Sequence, residues 1–102
     1  MEVKGTQSSS SRPVLPASFA AAEDGATTVN LTWSDTAADY TEIEIDFSLD
    51  ELAWTNIGRL AKDVETLAHT GRTATTKYYY RARVKKRFKW SAYVTDDATT
   101  EA

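Results

Sequence analysis

From residue 13 onward, apolar and polar positions alternate with a period of two. Val29, Leu31 and Trp33 alternate with Asn30, Thr32 and Ser34, and Ile43, Ile45 and Phe47 alternate with Glu42, Glu44, Asp46 and Ser48. Successive side chains of a strand point to opposite faces, so this pattern predicts half-buried strands. Tyr78 to Lys85 gives the clearest one, with Tyr78, Tyr80, Ala82 and Val84 on one face and Tyr79, Arg81, Arg83 and Lys85 on the other. Weaker strands are predicted at Ser18 to Ala21, Trp54 to Ile57, Val64 to Leu67 and Trp90 to Thr95. Turn-forming residues at Asp24-Gly25, 34–39, 49–52 and 71–76 separate them. Leu52, Ile57, Leu60 and Ala61 lie near helical spacing, but Thr55, Asn56 and Gly58 interrupt them, so a strand is expected there as well. Short strands at intervals of about 8 to 12 residues, with no strong helix, predict an all-β sandwich closing over Trp33, Ile43, Ile45, Tyr78 and Tyr80.

The chain has 102 residues, 41% of them hydrophobic, which suffices for one core and not for two. A catalytic cleft between domains is therefore not expected. No apolar run approaches the roughly 18 residues of a membrane-spanning helix, so no membrane insertion is expected. Cysteine is absent, which removes disulfides, thiolate nucleophiles and cysteine-based zinc sites. Residues 1–12, with the run Ser8-Ser9-Ser10-Ser11, hold too few apolar side chains to offset the entropy of ordering them. They are read as a flexible linker, and residues 13–102 as the domain. The polar start lacks the apolar stretch of a signal peptide, which suggests either no export by that route or a domain excised from a larger protein.

The order of these elements resembles a fibronectin type III domain over about residues 16–95. Val29 to Trp33 is similar to that family's second strand with its core tryptophan, Ile43 to Asp50 with Trp54 and Ile57 to strands C and C′, and Thr76 to Val84 to strand F. The resemblance implies an immunoglobulin-like β-sandwich of about seven antiparallel strands in type III topology. It also implies that Tyr78 forms the tyrosine corner, its hydroxyl bonding to upstream backbone. Three positions depart from the family pattern: Arg72 stands where a core leucine is usual, Glu51 where a turn glycine is common, and the link between strands F and G is short.

Charge is unevenly distributed along the chain. Residues 1–70 carry 4 basic and 12 acidic groups, whereas residues 71–102 carry 8 and 3. Arg81, Arg83, Lys85, Lys86, Arg87 and Lys89, interleaved with Tyr79, Phe88 and Trp90, have the composition of a nucleic-acid-binding segment. If strands C and F are neighbours, however, Glu42, Glu44 and Asp46 face Arg81, Arg83 and Lys85, and the ladder neutralises itself. No nucleic-acid binding at physiological salt is therefore expected.

The ladder leaves over Lys86, Arg87, Phe88, Lys89 and Trp90 at the tip between strands F and G. An aromatic side chain flanked by cations can stack on a sugar or meet an acidic surface, which makes these five residues the candidate binding site; the equal alternative is that Trp90 packs at the sandwich edge and the lysines guard against edge pairing. Glu42 and Glu44, about 7 Å apart on one strand face, have the separation of glycosidase carboxylates. An open sheet face would not raise one of their pKa values, and basic neighbours would lower both. His69, the only histidine, has no second histidine or cysteine with which to hold a metal, and is read as a solvated strand end. Asn30-Leu31-Thr32 satisfies the glycosylation pattern but falls in a strand.

Neither a cofactor, nor a metal, nor catalysis is expected. The resemblance implies a non-catalytic accessory module of a larger bacterial or bacteriophage surface protein, giving weak carbohydrate or protein binding at a cell surface. The alternative is a structural spacer or assembly domain of a phage tail or virion protein or of a secreted hydrolase, contacting only its parent protein or virion neighbours. Either setting places it outside the cell or on a virion surface.

Overall fold

A computed structural model of the protein describes residues 17–34, 41–61, 64–86 and 89–102. The expected linker at residues 1–12, the 35–40 loop and the tip residues Arg87 and Phe88 lie outside the described residues. Among the described residues eight strands are formed: β1 (Ala17–Glu23), β2 (Val29–Ser34), β3 (Glu42–Ser48), β4 (Thr55–Ala61), β5 (Thr66–His69), β6 (Lys77–Lys86), β7 (Lys89–Trp90) and β8 (Val94–Thr99). All pairings are antiparallel. One sheet has the order β1-β2-β5; the other has β4-β3-β6, with β7 and β8 both paired to β6. The all-β two-sheet expectation is met.

The alternation governs burial in β2 and β6 as expected, whereas in β3 Glu44 and Asp46 of the outward face are buried as well and Phe47 is half-buried. Val29, Leu31, Trp33, Ile43, Ile45, Tyr78, Tyr80, Ala82 and Val84 are all buried, joined by Ala98 of β8 and flanked by Phe19, Phe47, Ile57, Leu60 and Leu67. Each large aliphatic side chain withdrawn from water contributes roughly 1.5–3 kcal/mol, so register is fixed by the residues that must face inward. Pairing β3 to β6 sets Glu42 opposite Lys85, Glu44 opposite Arg83 and Asp46 opposite Arg81, the ladder predicted from sequence.

Three expectations about strand extent need correction. β5 spans Thr66–His69 rather than Val64 to Leu67, because the Val64 N–H is turned back onto the Ala61 carbonyl (3.0 Å). β4 runs on through Gly58 to Ala61, with Gly58 opposite Ile45 at a register shift that the ladder absorbs; a Cβ there would lie 3.4 Å from the Leu67 side chain. The last strand is not continuous from Trp90 to Thr95. Three residue steps on β6, from Ala82 to Lys85, face four on its partner, from Trp90 to Val94, so one extra residue is accommodated between β7 and β8. Ser91 makes the interruption tolerable: its N–H donates to the Val84 carbonyl (2.8 Å), and its hydroxyl accepts the Val84 N–H (3.0 Å).

The turn after β3 is also built locally. The Asp50 carboxylate accepts the N–H groups of Leu52 (2.9 Å) and Ala53 (3.1 Å) and the Ser48 hydroxyl (3.0 Å). These bonds, the two backbone donors foremost, hold its pKa below the usual aspartate value. Glu51 follows with φ of +65°, the left-handed conformation that glycine adopts without a side-chain clash. Glu51→Gly is expected to raise stability by about 0.5 kcal/mol or to leave it unchanged, read as the urea midpoint at constant m-value.

Candidate functional site

The outward face of the larger sheet holds most of the chain's surface chemistry. Residues 81, 83 and 85 of β6 point outward, and the extra residue between β7 and β8 has a consequence for their neighbours. In an uninterrupted strand, Trp90 and Tyr93, three positions apart, would lie on opposite faces. With one residue added, Trp90 lies opposite Lys85 and Tyr93 falls beside Arg83, both on the solvent side. The rings then interleave with the guanidinium groups. Arg81 lies 4.4 Å from the Trp54 ring centroid and 4.1 Å from that of Tyr93; Arg83 lies 4.9 Å from Tyr93 and 4.3 Å from Trp90. Lys85 and Arg59 approach Trp90 at 5.5 and 5.9 Å. Each such contact is worth about 0.5–1 kcal/mol at a solvated site.

Beneath the cations lie the carboxylates. Glu44 and Asp46 are each 6% exposed. The Arg83 Nε–H donates to Glu44 Oε1 (2.9 Å), Arg59 donates to Glu44 Oε2 through Nε (3.2 Å) with Nη2 at 3.0 Å, and Arg81 Nε–H donates to Asp46 Oδ2 (2.9 Å). Asn56 completes the rung by donating to Asp46 Oδ1 at 3.1 Å. The sequence expectation of an open face at Glu44 is therefore corrected: the arginines cover it. Glu42 stands one rung away at the strand start. Glu44 is thus held by two arginines, and Glu42 lies opposite Lys85 in register.

Of the five tip residues proposed from sequence, Lys89 is exposed and Trp90 is half-buried as the end of this stack. The backbone of Lys86 pairs with Lys89. The sequence reading placed Trp90 in a recognition tip and the arginines in a separate ladder, whereas the structure joins them. Trp54 and Tyr93 were missed. The spacing of Trp90 and Tyr93 conceals their common face until the interruption at Ser91 is known.

At the other end of the sandwich lies a second cluster. His69, read from sequence as solvated, is buried, its Nδ1 2.9 Å from the Tyr80 hydroxyl and its ring 4.6 Å from that of Phe47. Burial first, and then the nearby Arg72 charge, lower its pKa to about 4; burial likewise raises that of Tyr80. Arg72, in place of the usual leucine, covers the rings of Phe47 and Tyr78 at 5.2 and 5.7 Å. The Tyr78 hydroxyl accepts the Thr73 N–H at 2.8 Å, which is the tyrosine-corner bond the resemblance implied. Tyr78→Phe is expected to lower stability by about 1 kcal/mol without altering the fold, checked by equilibrium unfolding.

A shallow depression of about 300 Å³ on the smaller sheet is lined by Asn30, Leu31, Thr32, Thr66, Leu67 and Ala68 and has no titratable group. Asn30 itself lies in β2, as expected, and donates to Asp24 at 3.0 Å. Among the described residues no group of three or more metal-ligating side chains converges, and no helix is long and apolar enough to cross a membrane.

No family model matches the sequence, and no curated protein matches it. Solved structures do. A fibronectin type III-like protein from Clostridium thermocellum is similar over 88% of this chain and 95% of its own, with a TM-score of 0.73 at 22% identity. The fibronectin type III domain of human collagen alpha-1(XX) aligns over 90% and 89% of the two chains with a TM-score of 0.79 at 13% identity. A part of the β-1,2-glucanase from Parabacteroides distasonis, 12% of that chain, aligns with 88% of this one at a TM-score of 0.67 and 20% identity. The fold is thus that of a fibronectin type III domain.

Proposed function

We propose that the chain is a non-catalytic accessory module of a larger bacterial or bacteriophage surface protein. It gives that protein weak binding to carbohydrate or protein at a cell surface, outside the cell or on a virion. The observation that carries this reading is the placement of aromatic residues. Two of the three tryptophans, Trp54 and Trp90, and one of the five tyrosines, Tyr93, are held on the solvent side of one sheet, interleaved with arginines, and Tyr79 stands beside Lys77. Tryptophan, tyrosine and arginine are the residues in which binding energy concentrates. Trp90 belongs both to this row and to the tip proposed from sequence.

The second reading, a spacer or assembly domain, is favoured by a different observation. The arginines already satisfy Glu44 and Asp46, as they would if the ladder served only to stiffen the sheet. Retention on insoluble polysaccharides and on bacterial cells separates the two. The double variant Trp90→Ala, Phe88→Ala is expected to lose retention at least tenfold while remaining folded by circular dichroism. Undiminished retention would leave the spacer reading standing alone.

A further inference from the structure

We infer that the cation row Arg81, Arg83 and Lys85 is a docking surface for an extended acidic peptide bearing carboxylates at alternate positions; this rests on the binding reading above and names its partner. Four observations carry it. The first concerns free donors. Arg81 and Arg83 each engage a carboxylate through Nε, and among the described residues neither donates a hydrogen bond through its terminal guanidinium nitrogens. Lys85 stands opposite Glu42 in register, yet forms no ion pair among the described residues. The row therefore presents donors and positive charge to solvent, with acceptors buried below.

The second observation is what the rings exclude. Tyr93 is flanked by Arg81 and Arg83, and Trp54 and Trp90 each have an arginine stacked against them. A ligand that must enter between two rings finds the space filled by a guanidinium group, whereas an anion needs only the outward N–H groups.

The third is pitch. Alternate residues of β6 are spaced about 7 Å apart, and alternate side chains of any extended peptide have the same spacing. Carboxylates at positions i, i+2 and i+4 of such a peptide can therefore meet all three cations at once, and guanidinium groups suit carboxylates by bidentate geometry. The fourth observation is that the chain already realises part of the match, since Glu44 and Asp46 at alternate positions of β3 lie in register with Arg83 and Arg81 and pair with them.

The test is a titration of the isotope-labelled full chain with the peptide Glu-Thr-Glu-Thr-Glu-Thr-Glu, capped at both ends, followed by NMR. A capped peptide of the same composition with its four glutamates contiguous serves as the comparison. The alternating peptide is expected to shift the Arg81 and Arg83 Nε–H signals and the Trp54 and Trp90 indoles, and to bind at least threefold more tightly than the contiguous one. Lys85→Gln, which leaves both buried carboxylates paired, is expected to weaken it about threefold, and Arg81→Lys with Arg83→Lys about tenfold. Equal affinity for the two peptides, equal affinity for an oligothymidylate of the same charge, or shifts confined to Lys89 and Trp90 would each overturn the inference. If the peptide fails while retention on glycans or cells persists, the binding reading survives and only this partner is lost.

Discussion

Lowering the pH from 7 to 4 is expected to remove about 3 kcal/mol of stability through His69 alone. The imidazole is 9% exposed, enclosed by Phe47, Tyr78 and Tyr80, and its pKa falls from 6.5 to about 4 because burial disfavours the charged ring and Arg72 adds a like charge. Between those two values the unfolded chain binds a proton that the folded chain excludes. Stability is therefore fully present above pH 6.5, declines as pH falls towards 4 and is level in this respect below it, with each unit worth about 1.4 kcal/mol. Thermal or urea unfolding across this range checks the slope. His69→Gln keeps a polar partner for the Tyr80 hydroxyl without titrating, and should flatten the curve between pH 6.5 and 4; an unchanged slope would place the acid sensitivity elsewhere.

That histidine also marks the limit of what could be read from residues in order. The ladder of β3 on β6 was legible because both strands alternate without interruption, so opposite charges at matching parity had to meet once the strands were neighbours. His69 was not. It ends a four-residue strand, and nothing in Leu67-Ala68-His69 reveals that Phe47 from another strand covers its ring. Arg72 was visible as a departure from the family pattern, but its role over Phe47 and Tyr78 depends on a turn that brings it back across the sheet end. The candidate face was half legible. Its arginines follow from alternation, whereas Tyr93 and Trp90 share a side only because the strand is interrupted at Ser91, a feature stabilised by hydrogen bonds that a period-two reading cannot contain.

Removing the Glu44 carboxylate should be the most damaging single change on the outer face. Glu44→Ala is expected to cost about 2–3 kcal/mol, at the lower edge of what breaking a buried ion pair costs, because Arg83 is left 27% exposed and can still reach water. The two arginines that hold Glu44 are not equivalent. Arg59 is 60% exposed, so its bond is screened and its deletion should cost no more than about 0.5 kcal/mol. Arg83 is held between Tyr93 and Trp90, and its side chain fills the space between two rings as well as neutralising the carboxylate. A double-mutant cycle between Glu44 and Arg83 should therefore return a coupling above about 1 kcal/mol, and the same cycle with Arg59 a coupling near zero. Equal couplings would mean that the rings add nothing to the arginine between them, and that the row on the solvent side of the sheet is a set of independent surface ion pairs.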